Sequence, residues 1–181
     1  GYSIDKRGVL WSYGICLLPL GRVVDVRDPT SCLTPQPVPL PEPVVDVVSS
    51  IDTIYALLAD GSVWSWGANA GGKLGVPSSA PSVLPIKISG LSRVTMIASN
   101  LAGGAAVTAD GLIATWGVSA LSPPPPAPFA RKDLWTPHAV GMVPGGAARL
   151  LVGGFDAYAV IDGAGHAWYW ISNAEGQRGT G

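Results

Sequence analysis

Charge is scarce in this sequence, and so are the residues that usually carry chemistry. Of 181 residues only 13% are charged, 11 Lys plus Arg against 12 Asp plus Glu, for a net charge of -1. Without a basic excess there is no clustered positive face for a phosphate backbone; Lys6-Arg7 and Arg131-Lys132 are isolated pairs, so neither DNA nor RNA is expected as a partner. There are two histidines, His138 and His166, with no acid or cysteine at metal-ligand spacing, so no metal site is expected. The glycine pairs Gly71-Gly72, Gly103-Gly104 and Gly153-Gly154 lack the following Lys-Ser/Thr of a nucleotide loop, and no cofactor is expected. A strand-to-helix nucleophile elbow is also missing, and no catalytic residue can be named. Apolar runs are cut by 24 Gly and 17 Pro, which argues against long helices and against a transmembrane helix. The chain starts at Gly1, close to its first hairpin and without a leader pattern, which suggests a processed or excised polypeptide.

What is present is a repeat. Ala59-Asp60-Gly61-Ser62-Val63-Trp64-Ser65-Trp66-Gly67 returns as Gly8 to Gly14, Asp110 to Gly117 and Gly165 to Trp170. Its second aromatic falls at Tyr13, Trp66, Trp116 and Trp170, and a near-constant period of about 50 residues marks a repeat architecture. A shift of 104 residues, without gaps, lays Asp52, Gly61, Trp64, Trp66, Asn69, Gly72 and Gly75 on Asp156, Gly165, Trp168, Trp170, Asn173, Gly176 and Gly179. Around each copy, β-branched runs such as Pro43 to Ser50, Ile54 to Leu58, Leu84 to Ile88 and Val94 to Ala98 read as strands, and Asp-Gly between apolar segments reads as a hairpin turn. The acids Asp5, Asp60, Asp110 and Asp162 all fall at such turns, where a short carboxylate caps backbone amides. The pattern predicts an all-β fold of propeller type. It has about four short antiparallel blades within one domain, 1–181, in cycles 1–43, 44–93, 94–147 and 148–181.

Two stretches break the rhythm. Residues 14–43 read as a long, mostly irregular excursion that contains both cysteines, Cys16 and Cys32. A disulfide between them would restrict the unfolded chain and point to an oxidising compartment, extracellular or periplasmic; two separate buried thiols is the other reading. Residues 118–137 hold the run Ser122-Pro123-Pro124-Pro125-Pro126-Ala127-Pro128, a stiff surface extension. Beside it stand Phe129, Arg131, Leu134 and Trp135. Most tryptophans recur in register and are expected to pack blades; Trp135 lies outside the periodic set, which makes it, with Phe129, Leu134 and Arg131, the candidate partner-binding group.

The motifs resemble the regulator of chromosome condensation repeats, which form a β-propeller. The resemblance rests on Asp60-Gly61-x-Val63-x-x-Trp66-Gly67, on Asn69-x-x-Gly72-x-Leu74-Gly75, and on Pro85-x-x-Ile88-x-Gly90-Leu91-x-x-Val94-x-x-Ile97. Weaker versions lie at Pro37 to Val48 and Pro137 to Val152. Tyr13 replaces the tryptophan of the later copies, Ile171 replaces a glycine, and the segment after Trp116 lacks the Asn-x-x-Gly turn. Four hairpins fall short of the family's seven-bladed ring, so the chain is identified as a partial or short, bacterial-type member with open blade edges. Gly153-Gly154 with Tyr158 and Trp168 faintly matches the kelch repeat, also a propeller. The resemblance implies a non-enzymatic protein-interaction module that binds another protein, or further copies of itself, through protruding loops or open edges. Some relatives promote nucleotide exchange on a small GTPase and others cover the active site of a secreted enzyme. An assembly subunit and a carbohydrate-binding module using Trp135 are the alternatives.

Overall fold

The computed structural model describes residues 1–16, 19–25, 28, 30–117, 134–143, 145, 148–153 and 157–171, with 149–152, 157 and 169–171 as backbone alone. Four antiparallel sheets follow one another along the chain. The first holds β1 (Tyr2–Ile4), β2 (Leu10–Ser12) and β3 (Gln36–Pro37), with a single turn of helix, α1 (Thr30–Leu33), between the last two. The second holds β4 (Val44–Ser49), β5 (Thr53–Leu58), β6 (Val63–Gly67) and β7 (Ser82–Lys87), with a 3-10 turn at Ala70–Gly72 before β7. The third holds β8 (Val94–Ser99), β9 (Gly104–Thr108), β10 (Leu112–Trp116) and β11 (His138–Met142); the fourth holds β12 (Ala148–Gly153), β13 (Ala157–Asp162) and β14 (Ala167–Ile171). The strand β1 lies by β4, β4 by β8 and β8 by β12, so successive sheets meet through neighbouring strands and stack as blades. The excursion after Gly14 is less irregular than its composition suggests, since it returns as β3 to pair Trp11 with Pro37. The proline run at 122–128 and the turn at 173–179 lie outside the described residues.

The core is three separate layers, one between each pair of adjacent blades. Leu10, Val38, Val44, Ile54, Ala56, Leu58 and Trp66 fill the first. Tyr55, Leu57, Val63, Ile88, Val94, Ile97, Ala106 and Trp116 are in the second, and Ala98, Ala105, Val107, Ile113, Tyr158 and Val160 in the third. The alternation of a strand explains the division. In β5 every residue is buried, and the even positions Ile54, Ala56 and Leu58 face the first layer while Tyr55 and Leu57 face the second. A blade of this kind has no core of its own and is stable only between neighbours.

The hairpin turns are alike. The amide of the turn glycine donates to the carbonyl three residues back at Gly8 (2.9 Å), Gly61 (2.9 Å), Gly111 (2.9 Å) and Gly165 (3.1 Å). All four glycines have φ between 77° and 93°, which side chains bearing a Cβ avoid. Two of these turns dock on the next blade: Gly8 O accepts from Val44 N at 2.8 Å and Gly61 O from Val94 N at 3.1 Å. The four turn acids, however, divide into two kinds. Asp5 and Asp162 begin their turns and accept two amides each, from Arg7 and Val9 and from Ala164 and His166. Asp60 and Asp110 stand two residues later and bond Ser62 and Thr108 instead.

Candidate interaction surface

The two aromatic positions of the repeat do different work. Trp66 and Trp116, the second aromatics, are 0% and 2% exposed and lie in the layer toward the preceding blade. The side chain of Trp170 is outside the described residues. The first aromatics were expected to pack in the same way, but Trp11 and Trp64 are half-buried and Trp168 is 42% exposed. Trp64 packs at the edge of the first layer, and all three indoles reach back to their own turns. Trp11 Nε1 donates to Asp5 Oδ2 at 3.3 Å, Trp64 Nε1 to Ser62 Oγ at 3.2 Å and Trp168 Nε1 to Asp162 Oδ2 at 3.1 Å. The indole bond from Trp168, with the two turn amides, holds the Asp162 carboxyl down at about 2 against the opposing effect of burial.

The second aromatics form latches between blades. Trp116 Nε1 donates to Lys73 O at 3.0 Å, Tyr55 Oη donates to the same carbonyl at 2.7 Å, and the two rings meet edge to face at 5.5 Å. One interface earlier, Trp66 Nε1 donates to Pro19 O at 3.2 Å and lies 3.1 Å from Tyr2 Oη, which also donates to Pro19 O; these rings meet edge to face at 5.9 Å. Burial pushes the Tyr2 phenol up to about 12 and that of Tyr55 well above its ordinary value, so both stay protonated donors. Tyr2, Pro19, Leu20 and Gly21 stand 53 or 54 residues before Tyr55, Lys73, Leu74 and Gly75. The first loop is therefore a divergent copy of the second, a correspondence legible in the sequence from the Leu-Gly pair alone.

What orders each loop differs. In the second blade Asn69 does it, accepting from Leu74 N at 2.9 Å and donating to Ser78 O and Ala80 O at 2.5 and 3.1 Å. An ion pair from Lys73 Nζ to Asp52 Oδ1, 3.0 Å, ties that loop to the start of β5. In the first blade Ile15 replaces Asn69, and two other devices appear. Cys16 and Cys32 form a disulfide with 5.3 Å between Cα atoms and a sequence separation of 16; closing a loop of that length is worth roughly 3 kcal/mol through the unfolded chain. Arg22, which sequence reasoning passed over, is buried and clamps the two arms. Its Nε donates to Ser12 Oγ at 3.0 Å, and its terminal nitrogens donate to Ser12 O and Ser31 O at 3.3 Å and to Thr34 O at 3.5 Å.

Between this loop and the second blade lies a cavity of about 560 Å³, walled by Pro19, Leu20, Arg22 and Val23 on one side and Ala68, Pro81 and Val83 on the other. Val23 is 77% exposed and Val83 61% exposed at its rim. Of the four candidate partner residues, Phe129 and Arg131 lie outside the described residues. Leu134 and Trp135 are half-buried. Leu134 O accepts from Gly117 N at 2.8 Å, and Trp135 lies over Gly72, where a Cβ would stand 2.3 Å from its Cγ. They lie at the junction of the second and third blades, apart from the apolar groove beside the first loop. Among the described residues no cluster of three metal-ligating side chains exists, and no helix is long and apolar enough to cross a membrane.

A model of the regulator of chromosome condensation (RCC1) repeat matches residues 60–100, from the second hairpin turn through β8. Over that stretch the chain is similar to the RCC1 repeat family. Over 64 residues it is 39% identical to the ultraviolet-B receptor UVR8 of Arabidopsis thaliana, a match covering 34% of this chain and 14% of the receptor. Human WBSCR16 superposes with a TM-score of 0.75 at 23% identity, covering 94% of this chain and 44% of that one. The yeast RCC1 protein Prp20, in its complex with Kap60, superposes with a TM-score of 0.75 at 21% identity, covering 95% of this chain and 41% of its own. This chain thus spans less than half the length of those structures, and the likeness gives its blades a propeller-type fold.

Proposed function

We propose that this stretch of RCC1 repeats is a non-enzymatic protein-interaction module whose partner seats in the groove between the first loop and β7. One observation carries the reading: exposed aliphatic side chains, Val23 and Val83, face each other across a cavity whose loop wall is ordered in advance by a disulfide and a buried arginine. Exposed apolar surface on a pre-ordered segment is what binding requires, because the entropy of ordering is not charged to the complex. The superposed yeast protein is a protein binder, described in complex with Kap60 and by its binding to Gsp1p and histones. A photo-crosslinking residue at position 23 is expected to give one discrete adduct that Val83→Asp abolishes, while the same probe at the exposed Val45 gives none. Equal labelling from both positions would sink the reading.

A second reading, an assembly subunit, is favoured by Tyr13. It holds the repeat position at which Trp66 and Trp116 are buried, yet it is 37% exposed. Another blade laid against it, from a second copy, would cover it. Sedimentation at low concentration would then show no monomer for the native chain and monomer for Tyr13→Asp; a native monomer throughout would count against it.

A further inference from the structure

Three of the four repeats carry an indole at the first aromatic position, Trp11, Trp64 and Trp168, and the third carries Ala114. Strand register fixes the equivalence. Trp64 stands between Ala56 and Lys87 on the strands to either side, and Ala114 stands between Ala106 and Ala139. The linkers that lead into β4 and β8 correspond in the same way. Val44 and Val94 donate to Gly8 O and Gly61 O, and Pro43 O and Arg93 O accept from Ala59 N and Ala109 N. By this match Gly90 holds the place of Leu40.

In the second blade Leu40 and Trp64 both pack at the edge of the first layer. At the equivalent edge of the second layer both large side chains are gone, and a Cβ on Gly90 would meet nothing within 4 Å. A cavity of about 160 Å³ stands in their place, lined by Gly90, Leu91, Arg93, Asp110, Ala114 and Pro137 among others. We infer that this cavity is a binding site for an indole ring brought from outside the chain, seated as Trp64 is seated in the second blade. It is separate from the groove beside the first loop, since no residue lines both.

The walls suit that ring. Ala114 and Leu91 are buried and make the floor apolar. An apolar cavity of roughly 150 Å³ is enough for benzene, and the open side leaves room for the rest of an indole. At the rim, Asp110 Oδ1 accepts from Thr108 Oγ1 at 2.6 Å. That leaves Oδ2 for a ring N–H, the part that Asp5 and Asp162 play for Trp11 and Trp168. The Thr108 bond also holds the Asp110 carboxyl below its ordinary value, so it is an ionised acceptor at neutral pH. Arg93, exposed and with φ 52°, replaces Pro43 of the earlier linker. It brings to the rim a guanidinium of the kind that stacks on aromatic faces.

The test titrates free indole, 1-methylindole and N-acetyltryptophanamide into the native chain with labelled Ala and Leu methyl groups. Indole should shift the Ala114 and Leu91 methyl resonances saturably, while that of Ala56, beside Trp64, stays still. 1-Methylindole, which has no N–H, should bind roughly tenfold more weakly. In Asp110→Ala indole should weaken to the level of 1-methylindole, which itself should not change. Ala114→Trp should fill the cavity from within, abolish the response to indole and raise the urea midpoint. Binding of N-acetyltryptophanamide as well would identify the occupant as a partner's tryptophan side chain, and binding of indole without it as a small free ligand. The inference is overturned if indole gives no saturable shift at Ala114 and Leu91, or if the shift persists in folded Ala114→Trp. Equal binding of indole and 1-methylindole would overturn the assignment to an indole.

Discussion

Individual residues in these repeats carry more than one bond, and their titration exposes it. Asp162 joins two backbone amides, the His166 ring at 3.2 Å and the Trp168 indole at one hairpin turn. Its carboxyl is lowered from an ordinary 3.8 to about 2, first because of the indole bond. A lowered pKa means that the unfolded chain binds the proton more readily. The contribution is therefore complete above pH 4 and is lost as pH falls from about 4 through about 2. The Trp168 indole N–H resonance should thus report release of the turn over that interval. In Asp162→Asn the resonance should already resemble the acid form at neutral pH, with no further acid step. An acid step unchanged by the substitution would assign the titration to another carboxylate.

At the scale of the element, the hairpin turn is where sequence and structure agree best, and the reason is stereochemical. Only glycine occupies the left-handed turn position cheaply, so Gly8, Gly61, Gly111 and Gly165 mark the turns wherever they occur. Their surroundings are not equivalent. A Cβ on Gly61 would stand 2.9 Å from Arg93 Cα and 3.1 Å from Val94 N, whereas one on Gly165 would meet nothing within 4 Å. Gly165→Ala should therefore cost about 1 kcal/mol, for the backbone conformation alone. Gly61→Ala should cost about 1–2 kcal/mol more, because the docked next blade must shift. Urea unfolding of the two variants checks the difference, and equal losses would show that the turn does not press on its neighbour.

Legibility stops where one residue type can serve two geometries. Asp5 and Asp60 look equivalent in sequence, since each stands beside a glycine turn, yet a two-residue offset makes one a partner of an indole and the other of a serine. Trp64 and Trp66 look equivalent as packing residues and share one face of β6, yet only Trp66 is fully buried in the interface, while Trp64 packs at its edge and reaches back to Ser62. The excursion at 14–43 hid its order because its stabilising groups are non-local. Arg22 binds carbonyls nine and twelve residues away, and no local pattern announces a side chain that satisfies backbone across a loop. The Leu20-Gly21 pair did carry the repeat register, and was obscured because Ile15 stands where the second copy has Asn69.

The whole molecule is a row of interfaces, and its cooperativity depends on how strongly each blade is coupled to the next. The second interface allows that coupling to be measured, because Tyr55 and Trp116, from different blades, donate to one carbonyl, Lys73 O. Tyr55→Phe and Trp116→Phe each keep an aromatic ring and remove one donor, and either leaves the carbonyl with one bond. Together they leave it buried with none from either ring, and an orphaned acceptor costs more than a bond lost from a shared one. The double variant should therefore lose about 1 kcal/mol more than the sum of the singles, a coupling of ordinary size for residues in one network. The denaturant slope should also fall, as the blades on either side begin to unfold separately. Strict additivity with an unchanged slope would mean that apolar burial alone joins the blades and that the shared carbonyl is incidental to the way the repeats hold together.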